Sequence, residues 1–98
     1  MPRKLTKVEI IEEIYPEVNA SKKNIHRILD LFFDAVKTGL VNDCVIELRG
    51  FGTFEVKTRK GRRARNPKTG DSVDVRDHGV ATFRPGRELK QRAWSIRD

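Results

Sequence analysis

The chain has 98 residues, 37% hydrophobic and 36% charged, with 21 Lys and Arg against 14 Asp and Glu for a net charge of +7. That is room for one domain with little core material; no apolar run approaches the roughly 18 residues of a membrane span, and no secretory h-region follows Met1-Pro2-Arg3-Lys4. A single cysteine, Cys44, excludes an internal disulfide framework and a Cys-based zinc site, so the composition points to a small cytosolic basic protein that binds rather than catalyses.

Thr6 with Glu9 three residues later is a capping-box signature. Val8, Ile10, Ile11 and Ile14 follow as an approximate helical stripe, which Pro16 ends. Ser21 caps a second predicted helix carrying Ile25, Ile28, Leu29, Phe32, Phe33, Val36 and Leu40, a face too broad for one short neighbour to cover. Asn42-Asp43 marks a turn. Cys44 to Arg49 reads as a strand, Gly50-Phe51-Gly52 as a tight connection, and Thr53 to about Arg65 as a second extended run. Asn66-Pro67-Lys68-Thr69-Gly70 is turn chemistry, with Pro pre-setting φ and Gly tolerating φ > 0. Ser72 to Phe83 returns as a third strand and Pro85-Gly86 breaks it. Arg87 to about Ile96 is a last short helix with Leu89, Ala93 and Ile96 at helical spacing.

The run from Val56 to Pro67 extends about 36 Å at roughly 3.3 Å per residue. Between Lys57 and Arg65 its only apolar side chain is Ala64, so this stretch has nothing to bury and is expected to project as an arm that a partner orders. Without the arm, a body of roughly 70 residues rarely buries enough surface to be stable alone. The surplus apolar face of the second helix supplies the remedy, burial against a second copy, and predicts an obligate dimer.

Charge is uneven along the chain. Met1 to Glu55 has 8 basic and 9 acidic residues, whereas Val56 to Asp98 has 13 and 5. Lys57, Arg59, Lys60, Arg62, Arg63, Arg65 and Lys68 lie within twelve positions with no acid among them. Seven like charges without a counter-charge call for a polyanion, whose released counterions add a salt-dependent driving force; the bland alternative is a solvated basic loop. Arg outnumbers Lys there, which favours phosphates and narrow grooves over general solubility. At the end of this run Pro67 is a turn former, but its ring is also a rigid apolar wedge with no N–H to satisfy. Inserted between base pairs in a minor groove, such a wedge unstacks a step and kinks the duplex, with Arg62 and Arg65 on phosphates or in the narrow groove.

Gly50-Phe51-Gly52-Thr53-Phe54, then Arg59, Arg62, Ala64 and Arg65-Asn66-Pro67-Lys68-Thr69-Gly70, resemble the signature of the HU and integration host factor family, the bacterial histone-like DNA-bending proteins. The likeness continues through Phe83-Arg84-Pro85-Gly86 and Leu89-Lys90. Leu5-Thr6-Lys7 with Leu31-Phe32-Phe33 is similar to the integration host factor branch. The resemblance implies an α+β fold: two N-terminal helices, a three-stranded antiparallel sheet with a long β-hairpin arm, and a short C-terminal helix, two chains intertwining as a dimer. One domain then spans 1–98, with a helical dimerisation part at 1–43, sheet and DNA-binding arm at 44–83, and the C-terminal helix at 84–98. The implied function is architectural: two basic arms grip the minor groove of double-stranded DNA, proline intercalation bends it, and the nucleoid in the cytoplasm is organised. The implied assembly is a homodimer or a heterodimer with a paralogue, with no cofactor, membrane or small-molecule substrate.

By this resemblance Pro67 matches the intercalating proline, and Arg59, Lys60, Arg62, Arg65, Asn66 and Lys68 match arm positions that contact the minor groove. Lys57, Arg63 and Arg76 belong to the same cationic arm. Lys7 and Gly50, with Arg84, Gly86, Arg87 and Lys90, match body positions near phosphates on the DNA flanks, where helix N-termini offer N–H groups. Arg49 stands beside that surface where a small or neutral residue is usual; Ala64 replaces a common glycine, which stiffens the arm near its tip, and Asp43 replaces another after the second helix. These departures are compatible with binding any sequence, as HU does, and with preferring particular sites, as integration host factor does.

A basic RNA-binding protein is the alternative. Arg49-Gly50-Phe51-Gly52 begins like an RNA-recognition motif, but Thr53 stands where an aromatic belongs and two helices precede the sheet. Phe51 and Phe54 are instead expected under the sheet. His26 and His78 are too far apart for a ligand motif; His26 reads as helix surface, and His78 on the returning strand faces the nucleic acid. Adjacent Glu12 and Glu13 point in different directions on a helix, Cys44 is expected as a packed thiol, and Trp94 packs near the C-terminus. No constellation for catalysis is present.

Overall fold

In the computed structural model, which describes residues 3–97, the first helix starts where its capping box requires. Thr6 is extended (φ −90°, ψ 167°); its hydroxyl accepts the Glu9 N–H, and the Glu9 carboxylate accepts the Thr6 N–H in return. Such a cap stabilises a short helix by about 1 kcal/mol. Helix α1 runs Lys7–Ile14. Pro16 does not stop the chain cleanly: it sits in a single 3-10 turn, Tyr15–Glu17, where its missing N–H leaves nothing unpaired. Ser21 Oγ accepts the Asn24 N–H at 3.1 Å and opens α2, Lys22–Val41.

Internal contacts group the chain into two units, Met1–Lys37 and Thr38–Asp98, with the boundary inside α2. In the first unit, α1 and the start of α2 are tied by Lys22, whose ammonium lies 2.9 and 3.0 Å from the two Glu12 carboxylate oxygens and 5.0 Å from the Tyr15 ring centroid. Ile11 and Ile25 are its buried apolar side chains, at 5% and 4% exposure. Val8, Ile28, Leu31, Phe32 and Phe33 stay exposed.

In the second unit, α2 ends on Asp43 at φ +59°, where the Cys44 N–H donates to the Gly39 carbonyl at 2.9 Å and the Asp43 N–H to Leu40 at 3.0 Å. Because the Cys44 amide closes the helix, the first strand starts later than expected: β1 is Ile46–Leu48. Its turn into β2, Gly52–Arg59, takes Arg49 and Gly50 out of the strand, with Gly50 at φ +85° and the Phe51 N–H on the Leu48 carbonyl at 2.9 Å. Cys44 is exposed rather than packed, its thiol 3.8 Å from the Asn42 carbonyl oxygen.

The two long runs expected after Thr53 are each broken once. Beyond β2 come β3, Arg62–Arg65, and β4, Ser72–Val75, paired only with each other; then β5, His78–Pro85, returns to pair with β2. The larger sheet is antiparallel in the order β1-β2-β5. At the break the Gly61 N–H leaves the ladder and donates to the Asp77 carboxylate at 2.6 Å, and any Cβ on Gly61 would overlap the Val75 carbonyl oxygen.

Gly86, its N–H on the Phe51 carbonyl at 2.8 Å, leads into α3, Arg87–Ala93. This helix stops short of Ile96; the Trp94 and Ile96 amides bond three residues back in tightened turns. Trp94 does not pack there but is 75% exposed, because the turns carry it past the end of the helix. The fold is α+β, three helices with an antiparallel sheet. Among the described residues no helix is long and apolar enough to cross a membrane.

Candidate nucleic-acid interface

Strand alternation sorts the β2–β5 ladder into two faces. Phe54 lies across from Phe83 and Val56 from Ala81; Phe51 joins them, with ring centroids 4.8 to 6.3 Å apart. Phe51 and Phe83 nevertheless remain partly exposed, so this cluster is not yet a closed core. The opposite face carries Lys57, Arg59, His78 and Arg84. Glu55 stands among them, 3.7 Å from the Lys57 ammonium and 3.9 Å from the Arg84 guanidinium, with its own carbonyl accepting the Thr82 hydroxyl. Sequence spacing hides this arrangement, since Arg84 reaches Glu55 only through the register of the returning strand.

The β3–β4 ribbon repeats the division. Arg62 faces Val75 and Ala64 faces Val73 on one side; Arg63 faces Asp74 and Arg65 faces Ser72 on the other. The arm is therefore less purely cationic than its outgoing strand: Arg63 lies 3.5 Å from the Asp74 carboxylate, and Asp77 serves Gly61 at the break. Asp74 sits on the returning β4 and Asp77 in the link that follows it, where the outgoing run gives no hint of them. Ala64 takes ordinary strand geometry, without a positive φ.

At the tip, Asn66 organises the turn from both sides. Its N–H donates to the Asp71 carbonyl at 2.8 Å, its carbonyl accepts the Gly70 N–H at 2.7 Å, and its side-chain oxygen accepts the Lys68 N–H at 2.9 Å. Gly70 supplies the positive φ of +76° that closes the loop. Pro67 is left exposed at the end of this clamped turn. Asn66, assigned to DNA contact by resemblance, thus has a structural task at the tip as well.

Where the arm leaves the sheet, Arg59, Lys60 and Arg62 converge with Ala64, Val75 and His78 around a cavity of about 480 Å³. Arg76 is in the β4–β5 link beside them, its carbonyl oxygen 2.8 Å from His78 Nδ1. Arg87 and Lys90 line a second, open cavity of about 420 Å³ with Gln91 and Trp94. Gly86 brings no side chain to the start of α3 and Arg84 lies just before it on β5. Lys7 belongs to the helical unit and is already engaged: Asp30 pairs with its ammonium, and His26 Nε2 lies 3.3 Å from it and 3.2 Å from the Asp30 carboxylate. His26 is exposed on the surface of α2, as expected, and there joins the Lys7–Asp30 pair. The bond from Lys7 holds the Asp30 carboxyl below its ordinary pKa.

The family model described as bacterial DNA-binding protein matches residues 5–93. Among curated proteins, the chain is 39% identical over 88 residues to integration host factor subunit alpha of Pseudomonas paraeruginosa, covering 90% of this chain and 88% of that one. It is 38% identical over 91 residues to the subunit of the same name from Halorhodospira halophila, covering 93% and 90%. Among solved structures, the Anabaena HU–DNA cocrystal structure superposes with a TM-score of 0.85 at 25% identity, covering 90% of this chain and 96% of that chain. A mutant HU from Thermotoga maritima gives 0.66 at 26% identity, covering 90% and 97%.

Proposed function

This chain belongs to the bacterial DNA-binding protein family of HU and integration host factor, architectural proteins rather than enzymes, and from that membership we propose that it bends duplex DNA by gripping the minor groove with two arms. Pro67 of each arm enters a base step as a wedge. Arg59, Lys60, Arg62, Arg65 and Lys68 neutralise phosphates or line the groove, helped by Lys57, Arg63 and Arg76, while Asn66 shapes the tip. Lys7, Arg49, Gly50, Arg84, Gly86, Arg87 and Lys90 hold the flanks of the bent duplex. Lys7 must exchange Asp30 for a phosphate to do so.

The observation that carries this reading is the tip. An exposed proline, with no N–H to desolvate, ends a ribbon whose turn is clamped by Asn66 and whose one face sets Arg62 and Ala64 against Val75 and Val73. A cationic edge flanking a small apolar surface suits a narrow groove better than bulk water. Dimerisation follows from exposure: sixteen large apolar side chains are exposed in a single copy while only Ile11 and Ile25 are buried hydrophobics among the described residues. A second copy covers those of the body, while Val73 and Val75 stay on the arm. The curated relatives are named as subunits, and a paralogue with the same apolar face fits the same place. Two arms then kink the duplex twice, a device suited to organising the nucleoid.

Bending measured by FRET across an end-labelled duplex tests the wedge. Pro67→Ala is expected to reduce the bend strongly while leaving thermal stability close to that of the parent; an unchanged bend removes intercalation from the account. In competition at matched salt, bent or nicked duplex DNA is expected to displace structured RNA.

A further inference from the structure

His78 lies directly across the β2–β5 ladder from Arg59 and shares the cavity at the root of the arm with Arg59, Lys60 and Arg62. Its Nδ1 is 2.8 Å from the Arg76 carbonyl oxygen. A carbonyl only accepts, so this contact places the proton on Nδ1 and leaves Nε2 of the neutral ring as a lone pair. The charged groups around the imidazole are Arg59 on β2, Lys60 in the β2–β3 link, Arg62 on β3 and Arg76 in the β4–β5 link. Asp77, the acid next to it in the chain, has one carboxylate oxygen committed to the Gly61 N–H. Such a cluster draws in a phosphate, and a phosphate oxygen is repelled by a lone pair but accepts a charge-assisted bond from an imidazolium N–H.

We propose that this cavity receives a phosphodiester of the bound duplex and that His78 takes up a proton as it does so, making the grip on DNA pH-dependent. This deepens the DNA-bending reading and rests on it. The sign follows from linkage: protons taken up on association mean that affinity is higher at low pH and falls as pH rises through the range where imidazoles titrate, by up to about tenfold per pH unit for each arm.

The test is calorimetric titration of the full chain with duplex DNA at pH 7 in buffers of different ionisation enthalpy, with affinities measured from pH 6 to 8 at fixed ionic strength. The parent is expected to take up protons. His78→Gln is expected to take up fewer, with several-fold weaker binding at pH 6 and a flatter pH slope. His78→Lys is expected to keep the tight binding of pH 6 at every pH, which shows that the arm is intact. Uptake and slope in His78→Gln equal to the parent would overturn the proposal. So would equal proton uptake on titrating sulfate, which carries no proton of its own at pH 7, into the free chain, which would make the cavity a general anion site. Failure to bind any duplex at low salt would instead overturn the DNA-bending function itself.

Discussion

Asp43 holds a left-handed φ of +59° to let α2 end and the chain turn towards β1. Aspartate tolerates that region better than most residues, but glycine enters it without a Cβ penalty. Asp43→Gly is therefore expected to stabilise the fold by roughly 0.5–1 kcal/mol in denaturant unfolding, despite removing a side chain. The resemblance marked the position as one where glycine is common; the torsion angle supplies the reason. Midway along the same helix, Asp30 accepts a bond from Lys7 of α1, which lowers its pKa from the ordinary 3.8. A depressed carboxyl pKa contributes stability above the unfolded value and loses it as pH falls through the folded one. Asp30→Asn should thus shrink the drop in melting temperature on acidification below the ordinary carboxylate range, while leaving Lys7 free for phosphate and tightening DNA binding at neutral pH.

The arm is one ribbon in the sequence and two in the structure. Its division depends on Gly61, whose missing side chain admits the Val75 carbonyl and whose N–H turns to Asp77. Gly61→Ala is expected to disorder the arm and sharply reduce DNA bending while the melting temperature of the body changes by only a few degrees; proteolysis between Lys60 and Arg76 should quicken. An arm that resists protease as well as the parent would show that the break is not a structural requirement. Beyond the break, Arg62 and Arg65 occupy opposite faces of the ribbon. Replacing either by Ala should lower the slope of log affinity against log salt by about 0.9 per lost phosphate contact, and a slope equal to the parent's would place that side chain off the phosphates.

At the scale of the molecule, the exposed apolar surface argues for an assembly whose folding and association are one event. Unfolding of such a dimer depends on protein concentration: each tenfold increase should add about 1.4 kcal/mol to the apparent stability and raise the melting temperature. A midpoint independent of concentration over two decades, with a monomer mass in sedimentation equilibrium, would defeat the dimer. The surplus face of α2 was legible from the run of Ile28, Leu29, Phe32 and Phe33, because helical periodicity alone shows when a stripe is too wide. The partial exposure of Phe51 and Phe83 was not, since it depends on how little of the chain covers the sheet.

Local chemistry determined much of this protein from the sequence by itself. The Thr6 and Ser21 caps, the glycine turn at Gly50, the Asn66 to Gly70 tip, the cationic outgoing strand and the exposed proline all follow from residues within a few positions of one another, where backbone sterics and short hydrogen bonds decide. Tertiary structure alone decided what the returning strand brings across. Asp74 against Arg63, Glu55 between Lys57 and Arg84, Asp77 on Gly61 and His78 among three cations each join residues sixteen or more positions apart, or depend on register for their facing. A shift of register by one residue would move every one of these side chains to the other face, and the hydrogen-bonded ladder is what selects a single alignment.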